Sequence, residues 1–328
     1  MSIAEDSGGR RGVVLGGTGG VWRVHMDDGR IVEAALRGRL KKDDIGRRAD
    51  GSIKRNVAVS SREKLKLAVG DEVLVEADRR KEMWAIAEIL PRRSRLARRA
   101  PGGAHGERIV AANVDQVVVV FAAAKPEPHP RMLDRFLVIA EANALSAQIV
   151  INKIDHVGPR AARERFADYE KAGYGVHYTS AKLGDGLEDV RAVLGRRVSV
   201  LTGPSGAGKS SLLNALFPGL DLRVGEISES VNKGRHTTVG ANMVPLPDRA
   251  GGYVVDTPGL REVGMWALPP ETLDSCFPEL RPLLGHCRFA DCKHLAEPDC
   301  AVKSAVDRQL VSRARYESYV KLREELEA

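Results

Sequence analysis

"GPSGAGKSS" (residues 203–211) fits the pattern G-x-x-x-x-G-K-[ST] through Gly203, Gly208, Lys209 and Ser210. A polyphosphate needs several backbone N–H groups converging on its oxygens, and glycines permit that approach where a Cβ would block it. Lys209 can reach the β/γ oxygens, and the Ser210 hydroxyl can ligate Mg²⁺. The pattern alone is weak, so its flanks decide. "RVSVLT" (197–202) before it reads as a buried strand. "SSLLNALF" (210–217) after it places apolar residues at 212, 213, 216 and 217 on one helical face, stopped by Pro218-Gly219. Strand, loop and helix N-terminus is the geometry that aims N–H groups and a positive dipole end at phosphate. The candidate phosphate segment is thus Gly203, Pro204, Ser205, Gly206, Ala207, Gly208, Lys209, Ser210 and Ser211.

Further pieces of the same site lie on both sides of this loop. "GGYVVDTPG" (251–259) is a strand ending in D-x-x-G, with Asp256 placed to hold Mg²⁺ through water and the Gly259 N–H to sense the γ-phosphate. "QIVINKID" (148–155) ends in N-K-x-D. Guanine carries two donors that adenine lacks, N1–H and the 2-amino group, and the Asp155 carboxylate can accept from both. Asn152 is expected at the base edge and the stem of Lys153 across its face. A buried donor left unpaired costs about 1–3 kcal/mol, so this set favours GTP over ATP. "GVHYTSAKLGDG" (175–186) adds a strand ending in Ser180, Ala181 and Lys182, where a backbone N–H can meet the guanine O6. An ordinary Asx turn is the bland reading of N-K-x-D, and a surface turn that of D-T-P-G; their joint occurrence around a phosphate loop is what outweighs both.

The order of the pieces is unusual. Base-reading motifs precede the phosphate loop, whereas ordinary GTPases run the other way. A doubly wound sheet tolerates this, because strands keep their spatial neighbours when old termini are joined and the chain is opened elsewhere. The central domain is therefore expected to be a circularly permuted P-loop GTPase of α/β class, spanning 113–264.

The chain of 328 residues has length for two or three domains. Residues 1–110 hold 24 Lys and Arg against 16 Asp and Glu, whereas the rest is balanced to within one charge. The excess positive charge is thus N-terminal, notably in "RGRLKK" (37–42) and "RRSRLARRAPGGAHGERI" (92–109). A solvated basic face is the ordinary explanation of such runs; a nucleic-acid backbone is the functional one. "GVVLGGTGGVWRVHMDDGRIVEAALRG" (12–38) and "VGDEVLVEADRRKEMWAIAEIL" (69–90) alternate and turn like a five-stranded β barrel of OB-fold type over 1–92. Residues 41–56 read as a mobile polar insertion and 93–112 as a basic linker. No apolar run approaches the ~20 residues of a membrane span, and no signal core opens the chain. A cytoplasmic monomer with no membrane partner is the expectation.

Residues 265–328 are expected to form a mostly helical, metal-stabilised domain. "CRFADCKHLAEPDC" offers Cys287, Cys292, His294 and Cys300 in the spacing C-x4-C-x-H-x5-C, a complete tetrahedral set for structural Zn²⁺. In a reducing compartment disulfides are disfavoured, and so short a polar segment needs the metal to fold. His286 and Cys276 are competing ligands, though Cys276 reads as a buried small residue.

With "IVAANVDQ" (109–116), "LDRFLVIAE" (133–141) and "KGRHTT" (233–238), these motifs cover nearly the whole chain. Together they resemble the ribosome small subunit-dependent GTPase A family. The resemblance implies a bacterial GTPase that docks on the small (30S) ribosomal subunit and its rRNA late in assembly, is stimulated by it, and leaves after hydrolysis. Two departures stand out: Val239 replaces a third Thr after His-Thr-Thr, leaving Thr237 or Thr238 (the latter taken as the Mg²⁺ ligand) to close on the nucleotide, and the 41–56 insertion loosens the N-terminal match. Leu260 follows D-x-x-G where many GTPases place a water-orienting Gln. His236 is the available polar replacement, and the resemblance points to the same residue; a surface-loop histidine is the plain alternative. The competing function is a GTP-regulated RNA scaffold with incidental turnover; an ATP-dependent nucleic-acid enzyme is disfavoured by Asn152 and Asp155.

Overall fold

A computed structural model describes residues 9–37, 67–78, 83–99, 107–220, 241–247, 251–256 and 268–327. The insertion at 41–56, His236, Thr237, Thr238, Val239, Gly259 and Leu260 lie outside the described residues.

Strands β1 (Arg10–Thr18), β2 (Val21–Met26), β3 (Ile31–Leu36), β4 (Glu72–Asp78) and β5 (Met83–Ile89) close into a barrel in the order β1-β2-β3-β5-β4. All pairings are antiparallel except β3 with β5. This is the expected OB-fold barrel. Its interior is filled by the inward half of each alternating strand, including Val14, Val24, Ala34, Val75 and Ile86.

The stretch expected to be a basic linker contains an antiparallel pair, β6 (Arg95–Arg99) and β7 (Glu107–Ala112). Leu96, Ala111 and Ala112 are buried, and the Ala97 N–H donates to Asn143 Oδ1 at 3.1 Å. A few inward apolar residues anchor an otherwise Arg-rich ribbon.

The central sheet has the order β10-β9-β8-β11-β13-β12, formed by β8 (Gln116–Ala122), β9 (Ser146–Asn152), β10 (Gly175–Tyr178), β11 (Val198–Thr202), β12 (Asn242–Pro245) and β13 (Tyr253–Asp256). Only β12, at one edge, runs antiparallel to its neighbour. β8 and β11 are buried along their whole length, as parallel strands covered on both faces must be. Val117, Val119 and Phe121 face helices α1 (Pro130–Ala142) and α2 (Pro159–Lys171). Val118 and Val120 face α3 (Leu187–Leu194) and α4 (Lys209–Leu216). The chain enters at the centre on β8, moves outward to β10, then returns to β11 and continues to the other side. The reversal between β8 and β11 is the switch point at which such sheets bind ligands. That path is the permutation expected from the motif order.

The C-terminal residues form short 3₁₀ turns, then α5 (Ala301–Asp307) and α6 (Arg313–Glu327). Their core joins Leu273, Phe277, Leu280, Val306, Tyr319 and Leu322 to Val138 of α1. Beside it Arg315, only 4% exposed, contacts Asp134 of α1 and donates to Glu279 at 2.7 Å. Its guanidinium also lies 4.7 Å from the Phe277 ring centre and 5.2 Å from that of Tyr169 on α2. A buried, multiply paired charge thus pins α6 to both helices of one sheet face.

Candidate functional site

The motif residues converge at the C-terminal ends of the central strands. Asn152 ends β9 and pairs in register with Ala122 of β8; Asp256 ends β13 opposite Leu201 of β11. The loop from Gly203 to Gly208 follows β11 and delivers Lys209 and Ser210 to the first turn of α4. Two glycines are dictated by geometry. At Gly203 (φ +133°) a Cβ would lie 2.0 Å from the Val120 carbonyl oxygen, and at Gly208 (φ +89°) 2.6 Å from Asn152 Nδ2. Both positions need an absent side chain and an unusual backbone angle. The Lys209 ammonium is held over the loop, donating to the carbonyls of Gly203 (2.9 Å) and Pro204 (2.8 Å).

Asn152, expected at the base edge, also ties neighbouring segments of the site together. It is 2% exposed. Its Nδ2 donates to the Ala207 carbonyl at 3.1 Å, and its Oδ1 accepts from the Ala181 N–H at 3.1 Å and from Thr179 Oγ1 at 3.3 Å. One amide therefore brackets the phosphate loop to the Ser180–Lys182 turn. Thr179, which the motif reading passed over, is its side-chain partner. Lys153 stands in the left-handed region (φ +62°) and stretches to the carbonyls of Lys125 and Gly206, both at 2.7 Å. Its stem is thereby drawn from the N-K-x-D turn to the phosphate loop.

Ser180 Oγ donates to Asp155 Oδ1 at 2.7 Å. That hydrogen bond, more than any other influence, holds the Asp155 carboxyl below the usual carboxylate range. An ionised, oriented acceptor is what two donors on a purine edge require. Arranged around the switch point, the described residues supply a phosphate loop, an ammonium, a hydroxyl at a helix start, a carboxylate at a strand end and a second carboxylate oriented by Ser180.

A separate centre lies in the C-terminal region. The ligating atoms of Cys287, Cys292, His294 and Cys300 all fall within 4.8 Å of one another. Tetrahedral zinc requires S···S separations of about 3.8 Å and S···N of about 3.5 Å. Cys287 and Cys300 sulfurs are 3.9 Å apart, and His294 Nδ1 is 3.5 Å and 3.4 Å from them. These three separations match a shared metal ion, and the Cys292 sulfur lies within 4.8 Å of each of the other ligating atoms as the fourth donor. Competing ligands are excluded by position: His286 is exposed and outside the cluster. Cys276 is buried, its thiol pushed up to about 11 by that burial, and donates to the Thr272 carbonyl at 3.5 Å.

Sequence reading missed Asp274. Its Oδ2 sits 3.5 Å from His294 Nε2, the nitrogen turned away from the Cys287 and Cys300 sulfurs. Such a carboxylate fixes the tautomer that leaves Nδ1 as ligand. No spacing rule links positions 274 and 294, so only the fold could find it. Two tyrosines brace the loop from α6: Tyr316 donates to the His294 carbonyl at 2.7 Å and Tyr319 to that of Lys293 at 2.8 Å.

No helix among the described residues is long and apolar enough to cross a membrane. The model of the RsgA GTPase family matches residues 89–266. The small ribosomal subunit biogenesis GTPase RsgA of Gemmatimonas aurantiaca is 59% identical over 316 residues, covering 96% of this chain and 97% of that protein. Its counterpart from Agathobacter rectalis is 35% identical over 96% of this chain and 97% of its own length. Among solved structures, YjeQ from Thermotoga maritima superposes with a TM-score of 0.75 at 34% identity, covering 97% of this chain and 98% of its own. YloQ, described as a circularly permuted GTPase, gives 0.71 at 26% identity, covering 99% and 97%. The permuted sheet, the assembled motifs and these relatives agree: the chain belongs to the RsgA GTPase family.

Proposed function

We propose that this GTPase binds the small ribosomal subunit during its late assembly and acts there as a switch, its turnover stimulated by the subunit and its release following hydrolysis. The observation that carries this is the junction of a GTP-type site with an OB-fold barrel and a C-terminal unit bearing a Cys3His cluster, in one chain whose relatives bear small-subunit biogenesis names. Roles at the site follow from chemistry. Gly203–Ser211 cradles the phosphates, Lys209 neutralises them, and Ser210 with Thr238 holds Mg²⁺. Thr237 is the alternative to Thr238. Asp256 and Gly259 read the γ-phosphate side. Asp155, oriented by Ser180, takes the guanine donors while Asn152, Lys153, Ala181 and Lys182 shape the base pocket.

His236 positions the attacking water in place of the Gln whose position Leu260 fills. Zn²⁺ in the Cys287–Cys292–His294–Cys300 set is structural, since four protein ligands leave no open position. It ties the loop to α5 through Cys300, which caps that helix by accepting from the Lys303 N–H. The division of labour is an RNA-binding barrel (1–92), the basic ribbon (93–112), the permuted GTPase (113–264) and the zinc unit (265–328). The chain works as a cytoplasmic monomer, with rRNA phosphates as contacts for its basic N-terminal third.

Leu260 favours a second reading, in which a GTP-regulated RNA scaffold turns over only incidentally. Co-sedimentation separates docking from its absence. Binding to small but not large subunits with a non-hydrolysable GTP analogue, and weaker binding with GDP, is the expected result. Equal binding in both nucleotide states would remove the switch.

A further inference from the structure

The barrel is not merely tethered to the nucleotide domain; it grips one strand pair of it. Arg23 of β2 donates to Asn242 Oδ1 at 2.6 Å, and His25 of the same strand lies 2.9 Å, through Nδ1, from the Tyr253 hydroxyl. The two rings also meet edge to face, with centres 5.7 Å apart. Leu15 of β1 and Met243 of β12 share one buried cluster beside these contacts.

The gripped strands are the ones that carry the γ-phosphate side of the site. β12 follows directly on the segment containing "KGRHTT" (233–238), and β13 ends at Asp256 and runs into "DTPG". In the ladder between them Asn242 stands opposite Asp256, and Pro245 opposite Tyr253. Arg23 therefore holds the strand pair at the level of Asp256, and His25 holds it three residues further back. Two points fix both the height and the tilt of a strand pair that is otherwise an edge of the sheet. Burial pushes the Tyr253 hydroxyl's pKa up, so it stays protonated in its hydrogen bond with His25 Nδ1.

We propose that Arg23 and His25, on the barrel, are positioning residues for the nucleotide site: through Asn242 and Tyr253 they set the strand end that presents Asp256, so the barrel controls discrimination between GTP and GDP. The proposal rests on the reading of Asp256 as the Mg²⁺-side carboxylate. By reciprocity, whatever binds the barrel and shifts this junction must feel the γ-phosphate in return.

The test uses the full, metal-loaded chain with GDP and guanosine-5′-(β,γ-imido)triphosphate, each titrated against Mg²⁺. Arg23→Met and Asn242→Ala are each expected to lower the analogue-to-GDP preference and raise the Mg²⁺ requirement by roughly 3- to 10-fold, the scale of one net hydrogen bond. The double variant should be no worse than either single one, and Arg23→Lys, which retains a donor, should recover most of the loss. GDP affinity and the melting temperature should stay at wild-type values, which a merely structural role would not allow. Wild-type preference and Mg²⁺ dependence in Arg23→Met, or losses that add in the double variant, overturn the proposal. Asp256→Ala, run alongside, separates the two layers of the argument. If it keeps full Mg²⁺-dependent discrimination, the reading of Asp256 fails and the proposal falls with it; if it loses discrimination while Arg23→Met does not, the junction alone is refuted.

Discussion

Replacing Asp155 by Asn is the sharpest perturbation of the base site. The Asp155 carboxylate is 15% exposed, and one oxygen is already occupied by Ser180 Oγ at 2.7 Å. In the proposed reading, the acceptor capacity that remains takes guanine's N1–H and 2-amino group. Asp155→Asn removes the charge and sets an amide donor against one of those donors. Hydrogen bonds to charged groups contribute about 1.5–3 kcal/mol each. Two of them, less what partial solvent access restores, amount to about 3–5 kcal/mol. GTP affinity should therefore fall by roughly 150- to 5,000-fold. Xanthine carries a carbonyl where guanine has the 2-amino group, so XTP should gain affinity as GTP loses it. Titration calorimetry with GTP, XTP and ATP reads all three. GTP affinity within threefold of wild type, or a loss for GTP with no gain for XTP, would refute the assignment of Asp155 to the base.

The same carboxylate carries a pH prediction. Because the Ser180 hydroxyl holds its pKa below the ordinary carboxylate range, it stays ionised as pH falls through about 4, and GTP affinity should hold there; in Ser180→Ala the loss should set in at about pH 4, as fluorescence titrations carried down through that range would show. Asp274→Asn should weaken zinc by roughly 10- to 100-fold in a chelator competition without unfolding the chain, since the amide keeps an acceptor for the Ser275 N–H but loses the carboxylate that orients His294; unchanged affinity would leave the 3.5 Å contact without a role. Stripping the metal should expose residues 287–307 to protease and to hydrogen exchange while GDP binding persists, because the two sites share no ligand. Arg315→Met strands the buried Asp134 and Glu279 carboxylates and should cost about 3–5 kcal/mol in denaturant titration of the C-terminal unit; a loss under 1 kcal/mol would mean those carboxyls take up protons at no cost.

Much of this was written locally in the chain. A phosphate loop, N-K-x-D and C-x4-C-x-H-x5-C each need neighbours only a few residues away, so spacing alone exposes them. Their order also gave away the permutation, which the strand path from β8 out to β10 and back to β11 bears out. What escaped was long-range. Leu96, Ala111 and Ala112 bury a ribbon whose Arg content argued for a loop, because one inward side chain in β6 makes too weak a pattern to detect. Asn152 also brackets the site, with partners at 181 and 207 that use both ends of its amide and that its motif does not announce. Nothing near Arg315 in the sequence marks it, although its partners Asp134 and Glu279 make it the buried pin between two regions. Pairings across 29 to 181 residues leave no periodic trace.

GTP turnover by the zinc-loaded chain tests the account most directly, measured alone, with small ribosomal subunits, and with large subunits as the control. The account predicts strong acceleration by small subunits only, and its loss in His236→Ala with nucleotide affinity intact. Equal slow turnover under all three conditions would contradict the switch and leave a GTP-binding scaffold, with no catalytic part for His236.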